Sequence, residues 1–150
     1  MTATLKALPD ARPLYVSLPF RVQTYDVDWA AHVNNGVYVR WLEDLRLELL
    51  EVYCPMKHLL DQGIAPILAR TEIDYLRSIE LFDAPVGHLW CDEMGRATMR
   101  LRAEIRVNDT VCCRARQRGI LLRYGTTRPA RIPDEMREAF ERTNIAHAET

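Results

Sequence analysis

Apolar and polar residues alternate along several stretches of this chain and recur at helical spacing in one. From Phe20 the set Phe20, Val22 and Thr24 alternates with Arg21, Gln23 and Tyr25, which predicts a short strand. It leads into a polar, turn-forming stretch from Asp26 to Gly36. Beyond that, Tyr38, Leu42, Leu45, Leu49 and Val52 recur at intervals of four, three, four and three, with Asn34 and Asn35 in front as capping residues. Arg40, Glu43, Asp44, Glu48 and Glu51 mostly fill the other faces. The pattern predicts an amphipathic helix of about 18 residues and about 27 Å, stopped near Tyr53-Cys54-Pro55 by the proline. No other segment predicts a comparable helix.

After a loop through Gly63 and Pro66, alternation resumes. Ile67, Ala69, Thr71, Ile73 and Tyr75 face one way, with Leu68, Arg70, Glu72 and Asp74 opposite. Val86 to Cys91 reads as a third strand, entered through Asp83-Ala84-Pro85. The clearest alternation is Ala97 to Val107, apolar on one face and charged on the other. Asn108-Asp109 supplies a hairpin turn, and Val111 to Tyr124 returns as a long partner strand with Arg114, Arg116 and Arg118 on one face. Ile132-Pro133-Asp134-Glu135 opens a short helix. The order predicts an α+β domain in which a curved antiparallel sheet covers the stripe of one long helix. About five strands around one helix leave sheet edges unpaired, so self-association by edge pairing is expected.

Composition narrows the class. The chain has 150 residues, 48% of them apolar and 27% charged, enough for one cored domain and not for two. One domain over residues 1–150 is expected, ordered over about 14–142 with loosely held ends. The formal net charge of −1 excludes a general polycationic nucleic-acid binder, but the total hides a split. Residues 1–95 carry eight basic and 14 acidic side chains, whereas 96–150 carry 12 and seven. The segment MTATLKALPDARP lacks a secretory apolar stretch and no uncharged apolar run reaches about 18 residues, so a cytoplasmic protein that meets no membrane is expected. Cys54, Cys91, Cys112 and Cys113 form no C-x-x-C pair, and adjacent Cys112 and Cys113 point to opposite faces of a strand. Reduced, partly buried thiols are expected.

Candidate chemistry concentrates at the junction of the first strand and the long helix. Helix-start N–H groups and the macrodipole stabilise negative charge there, which suits both a carboxylate and the carbonyl oxygen of an ester or thioester. Asp26 and Asp28 share one face of an extended segment, only one of them placed to reach a substrate; alternatively both cap turns. N–H groups near Asn35 and Gly36 would polarise a carbonyl, each worth about 3 to 4 kcal/mol in a transition state. His32 is placed either to donate to a substrate oxygen or to bridge backbone groups. Glu43, eight residues beyond Asn35, lies about 12 Å further along the helix and reads as structural. His58, His88 and His147 are scattered without metal-ligand spacing, so no metal or cofactor is expected. No G-x-G-x-x-G, phosphate-binding loop or G-x-S-x-G string occurs, which argues against nucleotide hydrolysis and the α/β-hydrolase elbow. The arginine rows suit phosphate binding or a solvated sheet face equally.

The run Tyr25-Asp26-Val27-Asp28-Trp29-Ala30-Ala31-His32-Val33-Asn34-Asn35-Gly36-Val37-Tyr38-Val39-Arg40-Trp41-Leu42-Glu43 resembles the 4-hydroxybenzoyl-CoA thioesterase family of hotdog-fold acyl-CoA thioesterases. The family pattern is approximately D-x-D-x-x-G-H-V-N-N-x-x-Y-x-x-W-x-E. Glu72 to Arg77 with Asp83, and Gly95-Arg96-Ala97-Thr98, resemble its later strands, so the likeness spans roughly residues 18 to 133. The resemblance implies a sheet wrapped around a central helix and a homodimer or homotetramer with a shared site. It also implies a catalytic carboxylate at Asp28 and a thioester carbonyl held at the helix start near Asn35 and Gly36. Arg96 matches a place where CoA phosphates meet basic residues. Ala31 stands where the family usually has glycine, and a left-handed backbone there would strain it.

The expectation is hydrolysis of an acyl-CoA or acyl-carrier-protein thioester, with Asp28 as general base or nucleophile and His32, Asn35 and Gly36 positioning the carbonyl. The competing class is a hotdog protein that binds an acyl thioester without cleaving it, as a carrier-protein partner or ligand sensor. Hydratase activity fits less well, because the Asp/His arrangement of that branch is not found. Apolar residues facing the helix, Leu42, Leu45, Ile67 and Ile73, are expected mainly as core.

Overall fold

The computed structural model describes residues 12–148. Of the ends expected to be loosely held, outside about 14–142, residues 1–11 and 149–150 lie outside the described residues, whereas the C-terminal helix continues to Ala148 and Thr143 Oγ1 accepts the Leu14 N–H at 3.1 Å. In chain order the elements are β1 (Val16–Pro19), a single 3-10 turn (Thr24–Asp26), α1 (Asn35–Tyr53), α2 (Met56–Asp61), β2 (Ile64–Tyr75), β3 (Val86–Met94), β4 (Thr98–Val107), β5 (Thr110–Arg123) and α3 (Asp134–Ala148). The five strands form one antiparallel sheet in the order β1-β3-β4-β5-β2, wrapped around α1. This is the α+β hotdog arrangement.

Helix α1 forms for the reasons its periodicity supplies. Asn34 accepts the Gly36 N–H on its Oδ1 at 2.9 Å, and at the far end the Cys54 N–H still reaches Leu50 O before Pro55 ends the ladder. Its buried face is Val37, Tyr38, Trp41, Leu42, Leu45, Leu49 and Leu50. Leu42 and Leu45 are fully buried, each contributing about 1.5–3 kcal/mol of apolar transfer. Val52, assigned to the stripe by spacing, is exposed; the stripe ends on Leu49 and Leu50 as the helix leaves the sheet. α1 lies so close to β3 that a Cβ at Gly87 would sit 2.5 Å from Phe20 and 2.9 Å from Leu45.

Several expectations need correction. The first strand is Val16–Pro19, not Phe20 to Tyr25. Its ladder with β3 ends at Pro19 opposite Val86, one residue after Pro85, so residues 20–25 have no strand beside them. Asp26 then draws the chain into a 3-10 turn by accepting the Gln23 N–H at 2.8 Å. The segment expected as loop before the second strand contains α2, and β2 starts at Ile64, with Pro66 inside a strand at the sheet edge where its missing N–H costs no ladder bond. α3, expected as a short helix, has 15 residues, and Met136 and Ala139 bury it against the core. Ile67 is exposed, while Leu42 and Leu45 are core and Ile73 packs at its margin.

The hairpin expected at Asn108-Asp109 is present, with Asn108 at φ +53°. All four cysteines are free and buried, so burial exceeds the partial burial expected. Desolvation pushes the Cys54, Cys91 and Cys113 thiols up to about 12. No helix among the described residues is long and apolar enough to cross a membrane.

Candidate active site

The loop between the 3-10 turn and α1 is a miniature hairpin. Val27 and Val33 pair, the Asp28 N–H reaches His32 O at 2.8 Å, and the Ala31 N–H reaches Asp28 O at 3.0 Å. Closing so short a loop requires one left-handed residue, and that residue is Ala31, at φ +59°. The strain foreseen for alanine here is therefore carried by the chain, at about 1–2 kcal/mol relative to an ordinary backbone.

This loop gives the two aspartates opposite environments. Asp26 is buried; its Oδ1 accepts from Arg40 Nη2 at 2.6 Å and its Oδ2 from the Gln23 N–H, while its backbone carbonyl accepts the Asn34 N–H. All of that holds the loop against α1. Asp28 is exposed, and its Oδ1 accepts the N–H groups of Ala30 at 2.9 Å and His32 at 3.2 Å. Among the described residues its Oδ2 accepts nothing. Both therefore cap turns, but only Asp28 keeps an oxygen free, on a carboxylate whose orientation is set by the other one.

Asp28, His32 and Asn35 line one polar pocket of about 240 Å³ with Tyr75, Arg77 and Ser78. The helix start it contains is not uniform. The Gly36 N–H is committed to the Asn34 cap, whereas the Asn35 N–H has no partner among the described residues. Of the two amides expected to hold a carbonyl, Asn35 is thus the open donor. Tyr75 Oη donates to Asn35 O at 3.1 Å, and its ring meets Tyr38 edge-on with centroids 5.1 Å apart. Burial raises both phenols, Tyr38 to about 12, so these hydroxyls stay protonated at neutral pH. His32 sits beside Glu80, with Nε2 to Oε1 at 4.0 Å and both side chains substantially exposed, a contact worth little to stability.

Arg96, expected to meet CoA phosphates, and Glu43, expected as structural, both lie elsewhere. Arg96 caps the β3–β4 hairpin, at the opposite end of the ten-residue strand β4 from Asp28's side of the sheet, about 30 Å away along the strand direction. Its backbone is clamped, since Arg96 O accepts from the Ile132 N–H and Arg137 Nη2 holds Gly95 O at 2.9 Å, while its side chain is exposed. A Cβ at Gly95 would meet Thr98 Oγ1 at 2.8 Å, so a side chain there would push the Thr98 hydroxyl aside. Glu43 lines a second pocket, apolar and about 220 Å³, with Leu47, Leu50, Ile67, Leu68 and Gly119 between the second half of α1 and the sheet. Beside it Arg46 Nη1 donates to the buried Gln117 Oε1 at 2.9 Å. Tyr75, Arg77 and Ser78 escaped the residue-level assignment of roles, because only the tertiary fold brings them to Asp28; the one sequence signal was the place of Tyr75 and Arg77 in the stretch resembling a later family strand.

A family model for the thioesterase-like superfamily matches residues 22–140. The chain belongs to the thioesterase-like superfamily. No curated protein matches it, whereas solved structures do. A thioesterase from Thermus thermophilus, solved with coenzyme A and zinc, is 27% identical with a TM-score of 0.73, over 90% of this chain and 96% of that one. The DHNA-CoA thioesterase from Staphylococcus aureus is 18% identical with a TM-score of 0.81, over 90% and 94%. A hypothetical protein from the same organism, solved with CoA, is 12% identical with a TM-score of 0.82, over 90% and 87%. The last two likenesses are of fold. Among the described residues of this thioesterase-like chain, no three His, Cys, Asp or Glu side chains cluster closely enough to hold a metal ion.

Proposed function

We propose that this protein hydrolyses an acyl thioester of CoA, or of an acyl carrier protein, at the pocket of Asp28. The observation that carries the reading is the pairing of a carboxylate with one free, oriented oxygen and an unpaired helix-start amide in the same pocket. The Asn35 N–H donates to the thioester carbonyl oxygen and stabilises the negative charge that develops on it. Asp28 Oδ2 either takes a proton from the attacking water or adds to the carbonyl to form an anhydride that water then cleaves. Thiolate leaves readily, so one carboxylate and one oxyanion donor suffice without a general acid. His32 and the Asn34–Gly36 cap keep this end of the loop in register.

The apolar pocket beside Leu47 and Ile67 receives the acyl group. Its 220 Å³ exceeds the roughly 150 Å³ that accommodates benzene, so it suits a substituted ring or a chain of similar bulk. Within one chain the two pockets lie at opposite ends of β2. β2 is a 12-residue edge strand that carries the exposed Ile67 and Leu68, with the exposed Leu47 of α1 in the same pocket. Antiparallel pairing of two copies near Thr71 sets the Tyr75 end of one β2 against the Ile67 end of the other, which joins each polar pocket to the partner's apolar pocket. The same pairing turns the Arg96 end of the partner toward the site, where that side chain meets CoA phosphates.

Thiol release from a panel of short, long and aromatic acyl-CoAs tests the reading. Turnover is expected for at least one class. Binding without release from any of them would instead favour a non-catalytic thioester sensor.

A further inference from the structure

The sheet face turned away from α1 carries three cross-strand rows of charge. In the first, Arg114 of β5 stands between Asp74 of β2 and Glu104 of β4; in the second, Arg116 stands between Glu72 and Arg102. In the third, Arg118 stands directly between Arg70 and Arg100. The row at Arg114 is what a solvated, aggregation-resistant sheet face needs, with each cation beside anions. Towards Arg118 the anions disappear, although like charges set directly opposite one another destabilise a sheet.

Neighbouring acids neutralise the two outer arginines of the third row and leave its centre, Arg118, without a partner among the described residues. Arg100 is held by Asp92 and Glu93, Arg102 by Asp92, and Arg70 contacts Glu72. Among the described residues neither Arg116 nor Arg118 forms an ion pair. These side chains are not spread over a flat surface. Arg70, Arg100, Arg116 and Arg118 line one depression of about 430 Å³, in which Glu72 and Glu93 are the acids. The balance inside it is two positive charges in excess, which matches the about two negative charges of a phosphomonoester, or of the doubly esterified diphosphate of a nucleotide, near neutral pH. Guanidinium forks on adjacent strands, about 4.8 Å apart, are spaced to grip such a group from two sides.

We propose that Arg70, Arg100, Arg116 and Arg118 form a binding site on the outer sheet face for a phosphate-bearing anion. The site is separate from the pocket of Asp28 and stands whether or not that pocket hydrolyses thioesters. Its phosphate comes either from the nucleotide end of CoA or from a free phosphate compound.

Thermal unfolding and calorimetry with inorganic diphosphate test the site on the full chain. Diphosphate is expected to raise Tm more than sodium chloride at equal ionic strength. Replacing Arg116 and Arg118 together (R116Q and R118Q) is expected to weaken diphosphate binding by about tenfold or more. The same replacement should raise Tm without ligand, because it relieves the cross-strand repulsion. If the double variant folds poorly, Arg118→Gln alone shows the same two signs at smaller amplitude. Competition between diphosphate and CoA assigns the phosphate to the carrier, and its absence assigns it to a free compound; both outcomes support the site. Equal stabilisation by diphosphate and chloride, or binding unchanged in the variant, overturns it.

Discussion

The two halves of α1 border pockets of nearly equal size and opposite chemistry. At its start, about 240 Å³ is bounded by Asp28, His32, Asn35 and Arg77; along its second half, about 220 Å³ is bounded by Leu47, Leu50, Ile67 and Leu68. The contrast follows from what a helix can offer at each place. Only the first turn has backbone N–H groups without intrahelical partners, so only there can the main chain bind an anion or a carbonyl. In the middle every amide is spent, and the helix presents side chains alone. A thioester needs both environments, a polar one for its reacting carbonyl and an apolar one for its chain.

The largest expected effect comes from the polar end. Asp28→Asn should lower kcat by about 10²–10³-fold and leave acyl-CoA KM within a few-fold, because the amide keeps the turn's hydrogen bonds but neither attacks nor takes a proton. Near wild-type turnover in steady-state assays would falsify the assignment of the polar pocket to the chemical step. Its neighbour should behave in the opposite way. Asp26→Ala removes two charge-assisted hydrogen bonds from a buried carboxylate, which should cost about 2–3 kcal/mol in urea unfolding. Asp28→Ala, on an exposed loop, should cost less than about 1 kcal/mol in the same measurement.

A smaller effect separates the apolar pocket from the polar one. Gly119 faces α1, and a Cβ there meets nothing closer than Ile67 O at 3.9 Å, so Gly119→Leu should be accommodated and fill the space. Acetyl-CoA turnover should persist, while kcat/KM for bulky acyl groups falls by about 10–200-fold. A uniform loss across all chain lengths would show that the apolar pocket does not receive the acyl group. The smallest effect tests the strained loop. In Ala31→Gly, relief of the left-handed backbone outweighs the extra chain entropy of glycine, for a net gain of about 0.5–1 kcal/mol in thermal unfolding.

How far the sequence reveals these features depends on the range of the interactions. Helix α1 is legible because its spacing, its Asn34 cap and its Pro55 stop all act within a turn or two of the residue concerned. The β4–β5 hairpin is legible because alternation on both strands agrees with a turn at Asn108-Asp109. The first strand is misplaced because alternation over residues 16 to 24 is continuous, and only the start of β3 at Val86 decides where pairing ends. α2 is missed because six residues carry too little periodicity.

At the candidate site the sequence by itself marked the junction and the capped helix start, and its resemblance to the family singled out Ala31. Tertiary structure decided the rest. Nothing local distinguishes Asp26 from Asp28; Arg40, a turn and a half into α1, buries one in an ion pair and leaves the other an open oxygen. Nothing local ties Tyr75 to Asn35, 40 residues earlier, or stacks three arginines across three strands. Spacing along a chain dictates which side chains share a face, but which faces meet depends on sheet order and register. Those are set by burial of the whole core rather than by any one segment.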